Sequence, residues 1–163
     1  SSDLALLKQA YTKMQTKLQT LWDERSAGLP FKSPYEALIF ASIVEKETGR
    51  NEERNLVAAV FVNRMKRGMR LQTDPTIIYG LGAGFDGNLR KRDLLTDGSY
   101  NTYTRAGLPP TPICMPGSAS IKAALNPAQS PVLYFVARGD GTHQFSSTLL
   151  EHNRAVNKFQ LRR

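Results

Sequence analysis

Residues 33–49 constrain this chain more than any other stretch. Ser33-Pro34-Tyr35-Glu36 sets a capping serine, a proline at the first helical position and a glutamate three residues after the cap, which predicts a helix start. The run Ala37-Leu38-Ile39-Phe40-Ala41-Ser42-Ile43-Val44 that follows is apolar on nearly every side, and Gly49 supplies a stop just past Glu45-Lys46-Glu47-Thr48. A helix without a polar face belongs at the centre of a fold, with the other elements packed around it.

The remaining chain is long enough to supply those elements. A length of 163 residues with 40% hydrophobic and 22% charged residues fits one globular domain. Such a domain buries roughly 70% of the surface its unfolded chain exposes, so it folds without a disulfide or metal staple. Cys114 is the only cysteine and His143 and His152 the only histidines, which excludes a disulfide framework and a Cys-rich zinc site. No run approaches the roughly 18 apolar residues of a membrane span, and Ser1-Ser2-Asp3-Leu4 lacks the layout of a signal peptide. The chain as given reads as soluble, and its start directly on a helical pattern is also that of a piece cut from a longer protein.

The net charge of +8 points to an anionic partner such as nucleic acid, a membrane surface or an acidic cell-wall glycan. The basic residues are dispersed in small clusters at Arg64/Lys66/Arg67/Arg70, Arg90/Lys91/Arg92 and Arg162/Arg163, the pattern of solvated surface. They are not interleaved with aromatics as in a nucleic-acid-binding module.

Elsewhere the periodicity is readable. Leu4, Leu7, Tyr11, Met14, Leu18 and Leu21 step by three and four, predicting an amphipathic helix over 3–22 that packs on the core, followed by a connector at 27–30. A further helix is expected from a cap at Asn51 to Gly68, and a short one from a cap at Ser118 to Asn126-Pro127. Residues 131–136 and 142–145 around Gly139-Asp140-Gly141 predict a hairpin, and Thr148 with Glu151 box-caps a last helix toward Phe159. The stretch from 95 to 117, rich in proline but also in packing residues, reads as an ordered binding loop.

Glu45 and Glu47 are anomalous, because carboxylates at a helix C-terminus oppose its macrodipole. By helical geometry Glu47 lies within about 20° of Phe40 and about 40° of Ile43, while Glu45 follows Leu38 and Ala41 on the other side. A carboxyl beside Phe40 and Ile43 is desolvated, and its pKa moves up from about 4.3 toward the range of a general acid. The bland alternative for either acid is a surface ion pair with Arg50, Arg54 or Lys46. Asp74, before Pro75, reads first as a turn former. Tyr100-Asn101-Thr102-Tyr103 and Gly107-Leu108-Pro109-Pro110 carry the amide, hydroxyl and flat aromatic groups that bind an extended sugar or peptide, with core packing as the equal alternative. His143 falls near a cleft edge. No Ser-His-Asp order, phosphate loop or metal-helix motif is present.

Taken in order, residues 41–48, Leu71-Gln72-Thr73-Asp74-Pro75-Thr76, Tyr100 to Tyr103, Gly107 to Pro110, Pro112-Ile113, Tyr134-Phe135-Val136-Ala137 and Gly141-Thr142-His143-Gln144-Phe145 closely resemble the YceG-like, or MltG-type, endolytic murein transglycosylases. The resemblance covers Ser33 to Asn153. It departs from the family pattern at Thr111, Cys114 and Met115. It implies an α+β fold with a lysozyme-like helical core, a small antiparallel hairpin and long ordered loops lining a cleft. Residues 1–32 would form a helix and connector packed on the core, and 33–163 the catalytic domain.

The same resemblance implies cleavage of the β-1,4 bond between N-acetylmuramic acid and N-acetylglucosamine in nascent peptidoglycan, leaving a 1,6-anhydro end. It assigns the catalytic acid to Glu47, which donates a proton and then recovers one. Gln72, Tyr100, Asn101, Thr102, Tyr103, Pro109 and His143 would bind substrate, while Ser42, Glu45, Asn63 and Asp74 would support the site. No cofactor and no metal is implied. The partners would be glycan strands and peptidoglycan synthases, not nucleic acid, and the setting the periplasmic side of a bacterial inner membrane, reached through an upstream anchor. A glycan-binding module without turnover is the first competing reading, and a nucleic-acid-binding domain exploiting the charge of +8 the second.

Overall fold

The apolar helix is the axis of the molecule. In the computed structural model, which describes residues 2–161, α2 (Pro34–Glu47) starts on the Ser33 hydroxyl, which accepts from the Glu36 N–H, and ends at Thr48. Ala37, Phe40, Ala41, Ile43 and Val44 have no exposed surface. Burial of one such Phe or Ile side chain contributes about 1.5–3 kcal/mol.

Six further helices are present among the described residues: α1 (Asp3–Asp23), α3 (Asn51–Lys66), α4 (Asp74–Leu81) and α6 (Ser118–Leu125), which pack against α2, and α5 (Lys91–Leu95) and α7 (Leu149–Phe159). One antiparallel sheet of two strands, β1 (Tyr134–Ala137) and β2 (His143–Ser146), completes the fold, with Tyr134 opposite Ser146 and Ala137 opposite His143. The domain is mostly helical with a small hairpin, in agreement with an α+β expectation. A row of rings binds the layers: Phe31 to Phe40 at 4.8 Å, Phe40 to Phe61 at 6.3 Å and Phe61 to Phe135 at 5.8 Å between centroids. It runs from the connector through α2 and α3 to β1.

Several boundaries differ from the sequence expectation for local reasons. Asn51 and Ser118 are the first residues of α3 and α6 rather than their caps. Asp74 opens α4 instead of initiating a turn, with Thr73 before it and Pro75 tolerated in the first helical turn. Residues 131–133 precede the strand, because Asn63 on α3 donates to the Ser130 and Val132 carbonyls at 2.8 Å and Arg64 donates to that of Leu133 at 3.0 Å. The amphipathic helix α1 docks by its last turns only. Leu18 is buried, and Met14, Leu21 and Trp22 pack on the core, whereas Leu4, Leu7 and Tyr11 are 59–66% exposed. The Arg162/Arg163 cluster lies outside the described residues.

Candidate active site

The two glutamates at the tip of α2 leave it in different directions. Glu45 reaches α6, where its Oε2 accepts from the Gly117 N–H at 3.1 Å and from the Ser120 hydroxyl. A carboxylate that its own helix end disfavours thus sits at the positive end of another helix. Glu47 turns instead toward the segment before α4, where the Thr73 hydroxyl donates to its Oε1. Among the described residues neither acid forms an ion pair with Arg50, Arg54 or Lys46.

Thr73 is held by a cluster of hydroxyls. Its N–H donates to Thr102 Oγ1 at 3.0 Å, and its carbonyl accepts from the Thr76 hydroxyl at 2.8 Å. Thr73, Thr76 and Thr102 are all buried. Gln72, just before, has a φ of 52°, the only positive value at a non-glycine among the described residues. Two contacts hold it there: its N–H donates to the Thr102 carbonyl at 3.1 Å, and its side-chain oxygen accepts from Arg64 at 3.0 Å. Positive φ at such a residue costs of order 1–3 kcal/mol and persists only where surrounding structure fixes it.

These elements form one wall of a groove of about 640 Å³, within the size range of ligand sites. Glu47, Gln72, Asp74, Tyr103 and His143 line it together with β1, and one face of α7, carrying Leu149, His152 and Val156, closes the far side. Tyr103 donates its hydroxyl to Asp74 at 2.6 Å. Burial and the Asp74 hydrogen bond raise the Tyr103 pKa, so the phenol stays protonated. His143, first residue of β2, pairs with Glu53 of α3.

The Glu47 carboxyl has its pKa raised above the ordinary value of 4.5. Burial is the main cause and the Asp74 charge adds to it, while the Thr73 hydrogen bond and His143 act in the opposite direction. Desolvation favours the neutral acid, as expected for a group retained to donate a proton.

The other expected site residues lie away from this groove. Tyr100 packs at the core, 5.0 Å from the Tyr79 ring, and its hydroxyl meets Thr111 at 2.7 Å. Gly80 makes that approach possible, since a Cβ there would lie 2.9 Å from Tyr100 Cβ. Asn101 is a buried brace of its own loop, donating to the carbonyls of Asp93, Leu94 and Thr96 and accepting from the Tyr103 and Thr104 N–H groups. Thr102 serves the hydroxyl cluster, and Pro109 is buried beside Asn101 and Thr102. Ser42, inside α2, donates to the Ile39 carbonyl and accepts from the Ile113 N–H at 3.0 Å, fixing the proline-rich loop.

Sequence reasoning passed over Thr73, Glu53 and Arg64. Arg64, which the sequence places in a surface cluster, is only 7% exposed, because three carbonyl-type oxygens of Arg70, Leu133 and Gln72 solvate its guanidinium. Its neighbours Lys66, Arg67 and Arg70 are exposed as expected.

Fold and site together define a mostly helical domain with a single desolvated carboxyl facing an open groove. The chain belongs to the YceG-like family, whose model matches residues 1–158. It is 44% identical to the endolytic murein transglycosylase of Bacillus subtilis (strain 168), over 78% of this chain and 35% of that protein. It is 35% identical to that of Streptococcus pneumoniae serotype 2 (strain D39), over 88% of this chain and 29% of that protein. The crystal structure of a yceG-like protein from Listeria monocytogenes superimposes with a TM-score of 0.72 at 41% identity, covering 88% of this chain and 44% of that one. The chain spans about a third of the length of these transglycosylases.

Proposed function

We propose that this chain carries the catalytic domain of an endolytic murein transglycosylase, with Glu47 as its acid. The observation that supports this most directly is the raised pKa of a groove-facing carboxyl at the tip of a buried helix. Ordinary glycosidases need two carboxyl groups, one to protonate the leaving oxygen and one to act as nucleophile or base. Here the second groove carboxylate, Asp74, is engaged by Tyr103. A lytic reaction needs one acid only, because the sugar's own 6-hydroxyl replaces water and is held intramolecularly. Glu47 protonates the oxygen of the β-1,4 bond between N-acetylmuramic acid and N-acetylglucosamine, the 6-hydroxyl closes on C1, and Glu47 regains a proton.

In this reading Gln72, Tyr103 and His143 contact the glycan within the groove. Tyr100, Asn101, Thr102 and Pro109 act on it through the loop they shape, and Ser42, Glu45 and Asn63 hold the frame. Residues 33–163 are the catalytic unit, related in plan to a lysozyme-like core, and 1–32 lead into it. The net charge of +8 suits an anionic polymer such as peptidoglycan with its carboxylated stems. The place of action is the extracytoplasmic face of the bacterial inner membrane, beside peptidoglycan synthases. No helix among the described residues is long and apolar enough to cross a membrane.

Mass spectrometry of peptidoglycan digested by the chain and by Glu47→Gln tests the proposal. Anhydromuramyl ends from the first and none from the second are expected. Equal release by both removes Glu47 from the mechanism, and glycan binding without any cleavage makes the chain a binding module.

A further inference from the structure

The Glu53–His143 pair has a geometry that the single-acid mechanism leaves unused. Glu53, in the first turn of α3, grips His143 twice: one carboxylate oxygen accepts from the His143 N–H at 2.9 Å, and the other lies 2.7 Å from Nδ1. Both side chains are largely buried, at 13% and 17% exposure. The Phe135 ring meets the imidazole edge-on at 5.4 Å and Phe145 flanks it at 6.4 Å, which fixes the ring plane. Burial works against an ionised Glu53, but the two His143 hydrogen bonds outweigh it, and the Glu53 pKa is lowered. An ionised carboxylate only accepts, so Nδ1 carries the hydrogen. Nε2 is then the free nitrogen, and it has no protein partner among the described residues. His143 lines the same groove as Glu47. The charged groups around the ring are Glu53 from α3 and Glu47 from the tip of α2, with Arg50 beside Glu53.

We propose that Glu53 and His143 form a proton relay beside Glu47, in which His143 Nε2 takes the proton of the attacking sugar hydroxyl and returns it to the Glu47 carboxylate. This rests on the transglycosylase reading above and specifies how Glu47 is reprotonated. As the bond between C1 and the glycosidic oxygen breaks, its electron pair goes to the leaving oxygen, which takes the Glu47 proton. The 6-hydroxyl oxygen bonds to C1 and releases its proton to Nε2. The imidazolium is stabilised by the Glu53 carboxylate, then hands the proton to ionised Glu47, and the groove returns to its starting charge. His143 is the catalytic residue of the pair, and Glu53 is a positioning residue that sets its tautomer.

Glu53→Gln separates this role from simple support. The amide oxygen must keep accepting from the His143 N–H, so its NH2 group faces Nδ1 and forces the hydrogen onto Nε2. On the chain of 163 residues, ¹⁵N NMR of the imidazole at pH 8 is expected to show protonated Nδ1 in the wild type and protonated Nε2 in Glu53→Gln. Turnover to anhydro ends should fall on the order of a hundredfold with KM little changed. Added imidazole should restore part of the turnover of His143→Ala. Protonated Nε2 in the wild type, wild-type turnover in Glu53→Gln, or a His143→Ala loss that imidazole leaves untouched overturns the relay. The wild-type spectrum decides even where a variant fails to fold. Anhydro ends from the wild type with none from Glu47→Gln leave the underlying reading standing in each of those cases, whereas no anhydro ends from the wild type overturn both.

Discussion

The Thr73 hydroxyl donates to the Glu47 carboxyl across 26 residues of chain, tying the tip of α2 to the segment that opens α4. The bond opposes the burial that raises the Glu47 pKa, so one hydroxyl keeps the proposed proton donor more acidic than burial alone would leave it. Thr73 is 1% exposed and cannot exchange this contact for water.

Thr73→Val should therefore raise the Glu47 pKa further. The alkaline limb of the rate–pH profile, where the acid is lost, is expected to move to higher pH. Stability should drop by about 1–3 kcal/mol, the cost of leaving a buried polar group unpaired. Thr73→Ser should restore both. Rate–pH profiles and urea unfolding of the two variants check this.

Glu47→Gln should abolish glycan cleavage, with a loss on the order of 10²- to 10⁴-fold in turnover. Its effect on stability has a definite sign. Because the folded-state pKa lies above the ordinary value of 4.5, the folded state holds more protons than the unfolded chain between these two values. The contribution of this group to stability is then greatest below pH 4.5 and falls as pH rises through the folded pKa. Glutamine cannot ionise and still accepts from Thr73. The variant should melt above the wild type at pH 8, with the advantage shrinking toward pH 4, as thermal melts across pH will show.

Glu45→Ala should behave in the opposite manner. It removes the acceptor of the Gly117 N–H and the Ser120 hydroxyl at the start of α6. A loss of about 0.5–2 kcal/mol, the size of a helix-cap deletion, is expected. The folded variant should retain turnover within a few-fold. Denaturant titration beside an activity assay separates the two acids.

Gln72→Gly tests the left-handed residue. Glycine adopts a φ of 52° without strain, but the variant loses the oxygen that accepts from Arg64. Stability should change by less than about 1 kcal/mol, since relief and loss offset. Glycan affinity should weaken through the missing amide, measured as a raised KM.

The parts of this molecule set by local chemistry were readable from sequence. The serine cap and the apolar run of α2 act within one element, and the Thr148–Glu151 box does the same for α7, whereas α2 ends at an extended Thr48 without a left-handed Gly49. Glu45 and Glu47 were legible as misplaced charges pointing in different directions, but not by partner, because Ser120 and Thr73 are brought to them by tertiary packing. The helix at Asp74 was missed because an Asp-Pro step fits a turn as well as a first helical turn. Asn101 and Thr102 carry the right chemistry for a ligand, but Asn101 spends it on the carbonyls of its own loop and Thr102 on Thr73 and Thr76 at the start of α4. Arg64 shows the same limit from the other side. A cation among exposed cations looks solvated until the chain wraps carbonyls around it.

Because the two acids leave the same final turn of α2 in divergent directions, that turn behaves as a keyed joint. Sliding or unwinding it by one residue would rotate both carboxyls away from their partners at once. Glu45, which never meets the glycan in the proposed mechanism, thus clamps the outer side of the turn that carries the reactive group, adding to its rigidity without setting its chemistry.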